Sequence, residues 1–253
     1  MITKRMLLKR TLGLAAAVAL AGCSQAPGLE RLAAGETGRV AEVRSGDSLV
    51  LDSGLVVRLA GVEAPWGREP YADEARAALQ KLAGGRTVRL LYGGARRNRY
   101  GSALAQVRIV GGPWLERELL RAGAARARTW ADNRAMAGVM LEAEAYARNR
   151  RLGLWALPAY RVLIPREAAG ADGFQVVEGK VLRSAAGGGE LDFDSGFSAE
   201  IDPKALADFE TAGKSAQALT GKLVRLRGPI RYGSGGLALR LDHPEQVELL
   251  KPG

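Results

Sequence analysis

The chain has 253 residues, of which 47% are hydrophobic, and its formal net charge is +10 at pH 7. This apolar fraction excludes a disordered chain, and a single cysteine excludes a disulfide within the chain. One histidine and one cysteine are also too few for a zinc centre built from those residue types.

The charge is unevenly distributed along the chain. Residues 36–166 carry 22 basic and 13 acidic residues, and nearly all of the basic ones are arginine, whereas residues 167–253 carry 10 and 13. Arginine suits bidentate contacts with phosphate, so the first region fits a polyanion partner such as nucleic acid. The same composition also fits a GC-rich genome or a protein close to anionic lipid, so charge alone identifies no partner.

The first segment has the features of an export signal. Four basic residues precede an alanine-rich apolar core that ends in Leu-Ala-Gly-Cys at Cys23. At roughly a dozen residues this core is too short to span a bilayer, so residues 1–22 are predicted to be a cleaved signal. The ending resembles the bacterial lipoprotein signal. That resemblance implies a lipid on Cys23, a tether over residues 23–37 and a place in the cell envelope, at the outer membrane facing the periplasm.

The next region has the element order of a small β-barrel. Alternating apolar residues predict strands, and apolar residues at helical spacing predict helices. The predicted elements are a strand at 38–44, a hairpin within 46–65, a helix at 71–83, strands at 86–94 and 103–110, and helices from 114 and from 133 to 151. Three strands, a helix and two strands form the five-stranded OB-fold, so an α+β domain is predicted over residues 38–157.

The hairpin carries a candidate site. Asp47 precedes its first apolar run, Glu63 follows the second, and Arg58 interrupts the second run. An arginine within an apolar strand needs an anion or a carboxylate as a partner. Two acids and an arginine facing inward would form a metal and phosphate site, whereas the alternative is an Asx-turn at Asp47 and a solvated strand edge.

The ordered motifs of this region resemble the staphylococcal nuclease, or thermonuclease, family. They are GDSLVL, VRLAGVEAP, NRYGSALAQV, WLERELLRAGAARA and the closing Glu-x-x-Ala-Arg with Gly-Leu-Trp. The resemblance implies a calcium ion held by two aspartates, a glutamate after the proline that activates water, and two arginines that hold the phosphate. Calcium prefers oxygen ligands, and arginines stabilise charge that develops in the transition state.

Only part of that site is carried over. By position, Asp47 and Glu63 match the metal ligands and Arg58 matches the first arginine, although the family has aspartate where Glu63 stands. Trp66 replaces the glutamate after the proline, and Ser102 replaces the second arginine. Loss of a general base costs about 10²–10⁴ in rate, so hydrolysis by the family's mechanism is expected to be weak or lost.

Neighbouring residues offer substitutes for the lost groups. Glu69 would replace the base if its loop folds over the site, and Arg97 or Arg99 would replace the second arginine; the alternative for all three is a solvated turn. Trp66 either packs on the barrel or serves as a platform for a base, and packing is the preferred interpretation. The other tryptophans, Trp130 among them, are expected in the core.

The remaining chain repeats the same element order. After a linker at 158–172, residues 173–253 show three strands, a helix and two strands, which predicts a second, smaller OB-like barrel. This domain is slightly acidic and has none of the nuclease motifs, so a protein partner or a packing role is expected for it. His243 is expected to make a hydrogen bond in a turn.

The sequence therefore predicts an envelope lipoprotein of the thermonuclease family that binds nucleic acid or another phosphate polyanion. Two alternatives stay open. The first is an active calcium-dependent nuclease that uses Glu69 and a turn arginine, and the second is a protein-interaction scaffold, since a fold does not fix a function. Whether the chain is an enzyme is therefore not decided by its sequence.

Overall fold

The structure is a computed structural model that describes residues 28–185, 187–233 and 236–251. The predicted signal at 1–22 and the predicted lipid on Cys23 lie outside the described residues. Within the described ranges, no helix is both long and apolar enough to cross a bilayer.

The first domain is built on a closed five-stranded barrel. Its elements are β1 (Ala33–Ser45), β2 (Ser48–Leu51), β3 (Val56–Leu59), β4 (Val62–Glu63), α1 (Ala72–Ala83), β5 (Thr87–Tyr92), β6 (Ala103–Ile109), α2 (Leu115–Ala122), β7 (Arg126–Ala127) and α3 (Ala137–Asn149). The barrel order is β1-β2-β3-β6-β5, and β3 pairs with β6 in parallel. This arrangement confirms the predicted α+β class and the OB-fold of this domain.

The first strand is longer than predicted. β1 begins at Ala33, and its early residues pair with β5, so residues 33–37 belong to the barrel and not to the predicted tether. Sequence alternation is weak in Ala-Ala-Gly-Glu-Thr, which is why the strand was expected only from residue 38. Because β1 contacts both β2 and β5, it closes the barrel.

The end of α2 fixes a close approach between two segments. Gly123 has a φ of 68° and ends the helix in the left-handed conformation, as predicted. A Cβ atom at this position would lie 2.2 Å from the carbonyl oxygen of Leu152. The amide of Leu154 donates to the carbonyl of Gly123 over 2.8 Å, so the segment after α3 is tied to the end of α2.

The second domain repeats the pairing order of the first. Its elements, together with a helix in the linker, are α4 (Pro165–Ala168), β8 (Gly173–Lys180), β9 (Arg183–Ser184), β10 (Glu190–Asp192), β11 (Ser198–Ile201), α5 (Leu206–Thr211), α6 (Ala216–Leu219), β12 (Leu223–Gly233), β13 (Gly236–Leu241) and β14 (Val247–Leu249). β9 pairs with β10, β10 with β11, β11 in parallel with β13, β13 with β12, and β12 with β8. β8 and β9 are consecutive parts of one interrupted first strand.

Each domain has its own apolar core, and a third cluster joins them. One large cluster fills the first barrel and another fills the second domain. The third cluster contains Trp155, Tyr160, Phe174 and Val176, so it combines the end of the first domain, the linker and β8. The junction between the domains is therefore a packed contact and not a free hinge.

A buried ion pair crosses the same junction. Arg227, on β12, lies 2.8 Å from the carboxylate of Glu144 on α3, and both side chains are almost fully buried. Arg227 also donates to the carbonyl of Ala127 and pairs with Glu248. His243 is buried beside this contact, with its ring Nε2 3.2 Å from the hydroxyl of Thr129. The expected turn hydrogen bond of His243 is present, because its ring Nδ1 lies 3.1 Å from Oε2 of Glu245; Thr129 is an additional partner from the first domain.

Candidate functional site

Asp47 lies in the tight turn between β1 and β2, and its side chain is almost fully buried. The hydroxyl of Ser45 donates to Oδ1 over 2.8 Å, and the amide of Ala64 donates to Oδ2 over 3.2 Å. A guanidinium nitrogen of Arg58 lies 2.8 Å from Oδ2. Both carboxylate oxygens therefore have partners inside the protein, and the charge is balanced by an arginine.

Arg58 keeps one side open to solvent. It lies on β3 opposite Ser48 of β2, so the hairpin register places it beside Asp47. Its side chain is 47% exposed. The guanidinium has five N–H donors, so an arginine that pairs with one carboxylate can still offer donors to an outside phosphate.

Glu63 faces cations from a later part of the chain. It lies on β4, which pairs with β7, and its carboxylate forms ion pairs with both Arg126 and Arg128. Arg126 also donates to the carbonyl of Phe174 in the second domain, over 3.1 Å. The pairing of β4 with β7 thus brings two arginines to the residue that matches the family's second metal ligand.

This donor set does not fit a calcium ion. Calcium takes six to eight oxygen ligands, and the two matched carboxylates are each engaged by arginine. Among the residues that the structure describes, no group of three or more His, Cys, Asp or Glu side chains is placed to hold a metal.

Trp66 and Glu69 form a closed turn in front of α1. The amide of Trp66 donates to Oε2 of Glu69 over 3.1 Å, and the amide of Glu69 donates to the carbonyl of Trp66. Trp66 is 68% exposed, so the preferred packing interpretation was wrong. Both hydrogen bonds of this turn use the backbone of Trp66 and leave its indole without a role in them.

The two turn arginines differ in their surroundings. Arg97 pairs with Glu36 on β1 and donates to the hydroxyl of Tyr92. It therefore joins the turn between β5 and β6 to β1. Arg99 lies 5.0 Å from the ring centroid of Tyr100, which is 76% exposed. Both side chains are exposed, but Arg97 is engaged by Glu36 and Tyr92, whereas Arg99 contacts an exposed ring.

The Asn98 side chain shapes the turn that carries Arg99. Its Oδ1 accepts hydrogen bonds from the amides of Tyr100 and Ser102, over 2.9 and 3.1 Å. Ser102 stands where the family has its second arginine, and it contributes its backbone to this turn. The turn is ordered by local hydrogen bonds, which is an intrinsic property of Asn in turns.

A group of arginine and aromatic residues beside Glu63 was not singled out by sequence reasoning. Arg126 stacks on Tyr160 and Phe174, and Arg128 stacks on Trp130 and Phe174, with 4.6–5.2 Å to the ring centroids. Trp130 is 40% exposed and is not the core residue that was expected. The alternation Arg-Ala-Arg was the available signal, but two of the rings, Tyr160 and Phe174, lie in the linker and the second domain.

The closed five-stranded barrel defines an OB-fold domain, and known proteins identify its family. The model of the family described as staphylococcal nuclease homologue matches residues 56–157. A protein of Escherichia coli O157:H7 named as an uncharacterized endonuclease is 32% identical over 122 residues, which cover 47% of this chain and 76% of that protein. The chain therefore belongs to the staphylococcal nuclease homologue family.

A second relative is matched over a smaller share of its length. A probable endonuclease named lcl3, from Pyrenophora tritici-repentis, is 38% identical over 122 residues, which cover 42% of this chain and 43% of that protein. The chain thus spans less than half the length of this fungal relative. The family as a whole is generally calcium-dependent and has a nuclease character.

Proposed function

We propose that the first domain binds nucleic acid or another phosphate polyanion, with phosphodiester hydrolysis weak or lost. The observation that carries this proposal is the pairing of both matched carboxylates with arginines: Asp47 with Arg58, and Glu63 with Arg126 and Arg128. A carboxylate in such a pair does not offer the free oxygens that a hydrolytic metal centre needs. The exposed face of Arg58 supports binding of phosphate at the same place.

The expected loss of rate is large. A missing general base costs on the order of 10²–10⁴, and a missing donor to the developing charge costs roughly 10²–10³. Such losses are seldom additive, but either of them leaves a poor enzyme. Binding depends on other groups, because phosphate contacts need cations and base contacts need exposed rings. Arg58, Arg99, Trp66 and Tyr100 provide both kinds.

Binding is tested by fluorescence anisotropy with a short labelled single-stranded DNA at several salt concentrations. The logarithm of the affinity is expected to fall linearly with the logarithm of salt concentration, with a slope of about −0.7 for each phosphate contact. Arg58→Gln is expected to weaken binding and to reduce that slope. Arg183→Gln, which removes an exposed cation of the second domain, is the matched control. An affinity that does not depend on salt, or equal effects of the two variants, would contradict the proposal.

An active calcium-dependent endonuclease is the second candidate, because of the position of Glu69. Its carboxylate reaches the backbone of Trp66, the position at which the family carries its glutamate, with 3.1 Å between Oε2 and the amide nitrogen. Arg99 would then supply the second cation. Both relatives reported above are named as endonucleases. Calcium-dependent cleavage of single-stranded DNA that Glu69→Gln abolishes would favour this candidate over the first.

We also propose that the chain is a lipid-anchored envelope protein, from the Leu-Ala-Gly-Cys ending at Cys23. The full chain, expressed in a Gram-negative bacterium, is expected to incorporate labelled palmitate and to sediment with the outer membrane. Cys23→Ser is expected to lose the label and to leave the membrane fraction. Labelling that persists in Cys23→Ser would contradict this proposal.

A further inference from the structure

A small cavity lies at the junction of the two domains. It has a volume of about 170 Å³, and it is lined from the first domain by Arg128, Thr129 and Trp130. The second domain contributes a larger set of lining residues: Phe174, Pro229, Arg231, Arg240, Asp242 and Gln246. Sites for drug-sized ligands measure about 300–1,000 Å³, so this cavity has room for a single flat group of the size of a base.

The walls of the cavity are held from both domains. His243 contacts Thr129, and Arg134 pairs with Glu245 over 3.0 Å. The amide side chain of Gln246 accepts from the amide of Asp242 and donates to the carbonyl of Arg227. The cavity is therefore preformed, and an occupant need not order its walls, which lowers the cost of binding.

The lining residues have the chemistry that a nucleotide requires. Part of the Trp130 ring is exposed to solvent. Arg128, which pairs with Glu63, stacks on that ring. Arg231 is exposed and has no ion pair with any described residue, so it is free to contact phosphate. Arg240 is also partly exposed but pairs with Asp202.

Asp242 has the chemistry to select among bases. A carboxylate accepts hydrogen bonds from the amino group at N4 of cytosine, whereas thymine has an acceptor at that position. Burial raises the pKa of Asp242, which means that its charge is held at a cost in free energy. A donor on the base would offset that cost.

The cavity shares one residue, Arg128, with the candidate site of the first domain. Arg128 pairs with Glu63 on one side and lines the cavity on the other. A single strand whose phosphates contact the barrel would thus meet the cavity within the same bound segment. The cavity depends on the second domain, because Phe174, Arg231 and Asp242 all belong to it.

We propose that this interdomain cavity holds one base of a bound single strand, stacked against Trp130, with Arg231 on the phosphate and Asp242 on the base edge. This inference rests on the proposed function, since it assumes that the first domain binds nucleic acid. It assigns to the second domain a direct part in that binding.

The test measures binding of the full chain to labelled single-stranded oligodeoxycytidylate and oligothymidylate by anisotropy. Trp130→Leu is expected to raise the Kd about 5- to 150-fold, the effect of one lost stacked base. Arg231→Gln is expected to raise the Kd several-fold for both strands. Asp242→Asn is expected to remove a preference of roughly 5-fold for cytidine over thymidine. The control is Arg166→Gln, which alters an exposed arginine that does not line the cavity.

The outcomes separate this inference from the proposed function. If the unmodified chain binds neither strand, both fail together. If it binds but the cavity variants equal Arg166→Gln while their unfolding curves stay normal, the cavity inference is overturned and the proposed function stands. A cytidine mononucleotide that binds as tightly as the strand, with the same sensitivity to the variants, would overturn the assignment to a strand. Should Trp130→Leu fold poorly, Arg231→Gln and Asp242→Asn still decide the question.

Discussion

Asp47 illustrates how one residue can keep its place in a family motif and take another role. Its carboxylate accepts from a hydroxyl and a backbone amide and pairs with Arg58, all within the protein. Ser45, two positions earlier, supplies the hydroxyl. The motif alone does not distinguish a free carboxylate from a neutralised one, because the distinction depends on which partners fold against it.

The structural role of Asp47 leads to a prediction for stability. Asp47→Ala is expected to lower the free energy of unfolding by about 1–3 kcal/mol, because it leaves buried donors without an acceptor. Urea titration followed by circular dichroism measures this change. Glu42→Ala, which alters an exposed acid on β1, is the control and is expected to leave the midpoint nearly unchanged. An Asp47→Ala protein as stable as the unmodified chain would show that the carboxylate is not held as described.

Trp66 gives the complementary case of an exposed residue. Trp66→Ala is expected to weaken binding of single-stranded DNA about 5- to 150-fold, the contribution of one stacked base. Because the Trp66 side chain is exposed, Trp66→Ala is expected to change the free energy of unfolding by no more than about 0.5 kcal/mol. Leu182, also exposed but in the second domain, provides the control variant Leu182→Ala. Unchanged DNA affinity in Trp66→Ala would remove Trp66 from the binding surface.

At the scale of elements, the barrel follows directly from the sequence. The alternation in β2 and β3, the helical spacing in α1 and the glycine at the end of α2 each specify a local structure. The order of these elements then leaves few topologies, and the OB-fold is one of them. β1 was predicted too short, since its first residues are held by contacts with β5 rather than by their own pattern.

The candidate site was less predictable than the barrel, for a physical reason. Glu63 and Arg128 are 65 positions apart, and only the pairing of β4 with β7 joins them. Two-residue strands have too little pattern to be recognised in a sequence. The exposure of Trp66 and Trp130 likewise depends on loop paths, which composition does not specify.

Glu36 links β1 to the turn between β5 and β6, and it gives this contact a pH dependence. Hydrogen bonds from Tyr92 and Arg97 lower the pKa of Glu36 to about 2, from an ordinary value of 4.5. The folded chain therefore binds fewer protons than the unfolded chain in that interval. The stabilisation is present above the ordinary value and is lost as the pH falls through about 2.

Glu36→Gln is expected to be less stable than the unmodified chain at neutral pH. The difference between their urea midpoints is expected to shrink as the pH is lowered from about 5 towards about 2, because Glu36 takes up a proton in the unfolded chain over this range and in the folded chain only near its end. Glu42→Gln alters a neighbouring exposed acid of the same strand and is the control. A difference that stays constant over this range would contradict the assigned pKa.

At the scale of the whole molecule, the two domains are joined by buried charge as well as by apolar packing. Glu144 accepts from the amide of Ala127 and pairs with Arg148 and with Arg227 of the second domain. Removing one member of a buried pair leaves a charge without its partner, at a cost of about 3–5 kcal/mol. Glu144, which belongs to the Glu-x-x-Ala-Arg motif at the end of the first domain, therefore also stabilises the junction between the domains.

Glu144→Gln is expected to lower the urea midpoint of the full chain strongly, within this range of free energy. Arg183→Gln disrupts an exposed ion pair with Asp192 and is the control; such pairs contribute about 0–1 kcal/mol. Equal midpoints for the two variants would show that the junction does not depend on the buried pair. Limited proteolysis of the linker measures independently whether the contact between the two domains is weakened in Glu144→Gln.

The central claim, a nuclease-family domain that binds without efficient hydrolysis, is tested most directly by cleavage of single-stranded DNA at several calcium concentrations. The full chain is compared with Asp47→Asn and Glu69→Gln, each first shown to be folded. The expected result is binding of the DNA with cleavage no faster than in Asp47→Asn, at every calcium concentration. Calcium-dependent cleavage that both substitutions abolish would contradict the account and identify Glu69 as the replacement base.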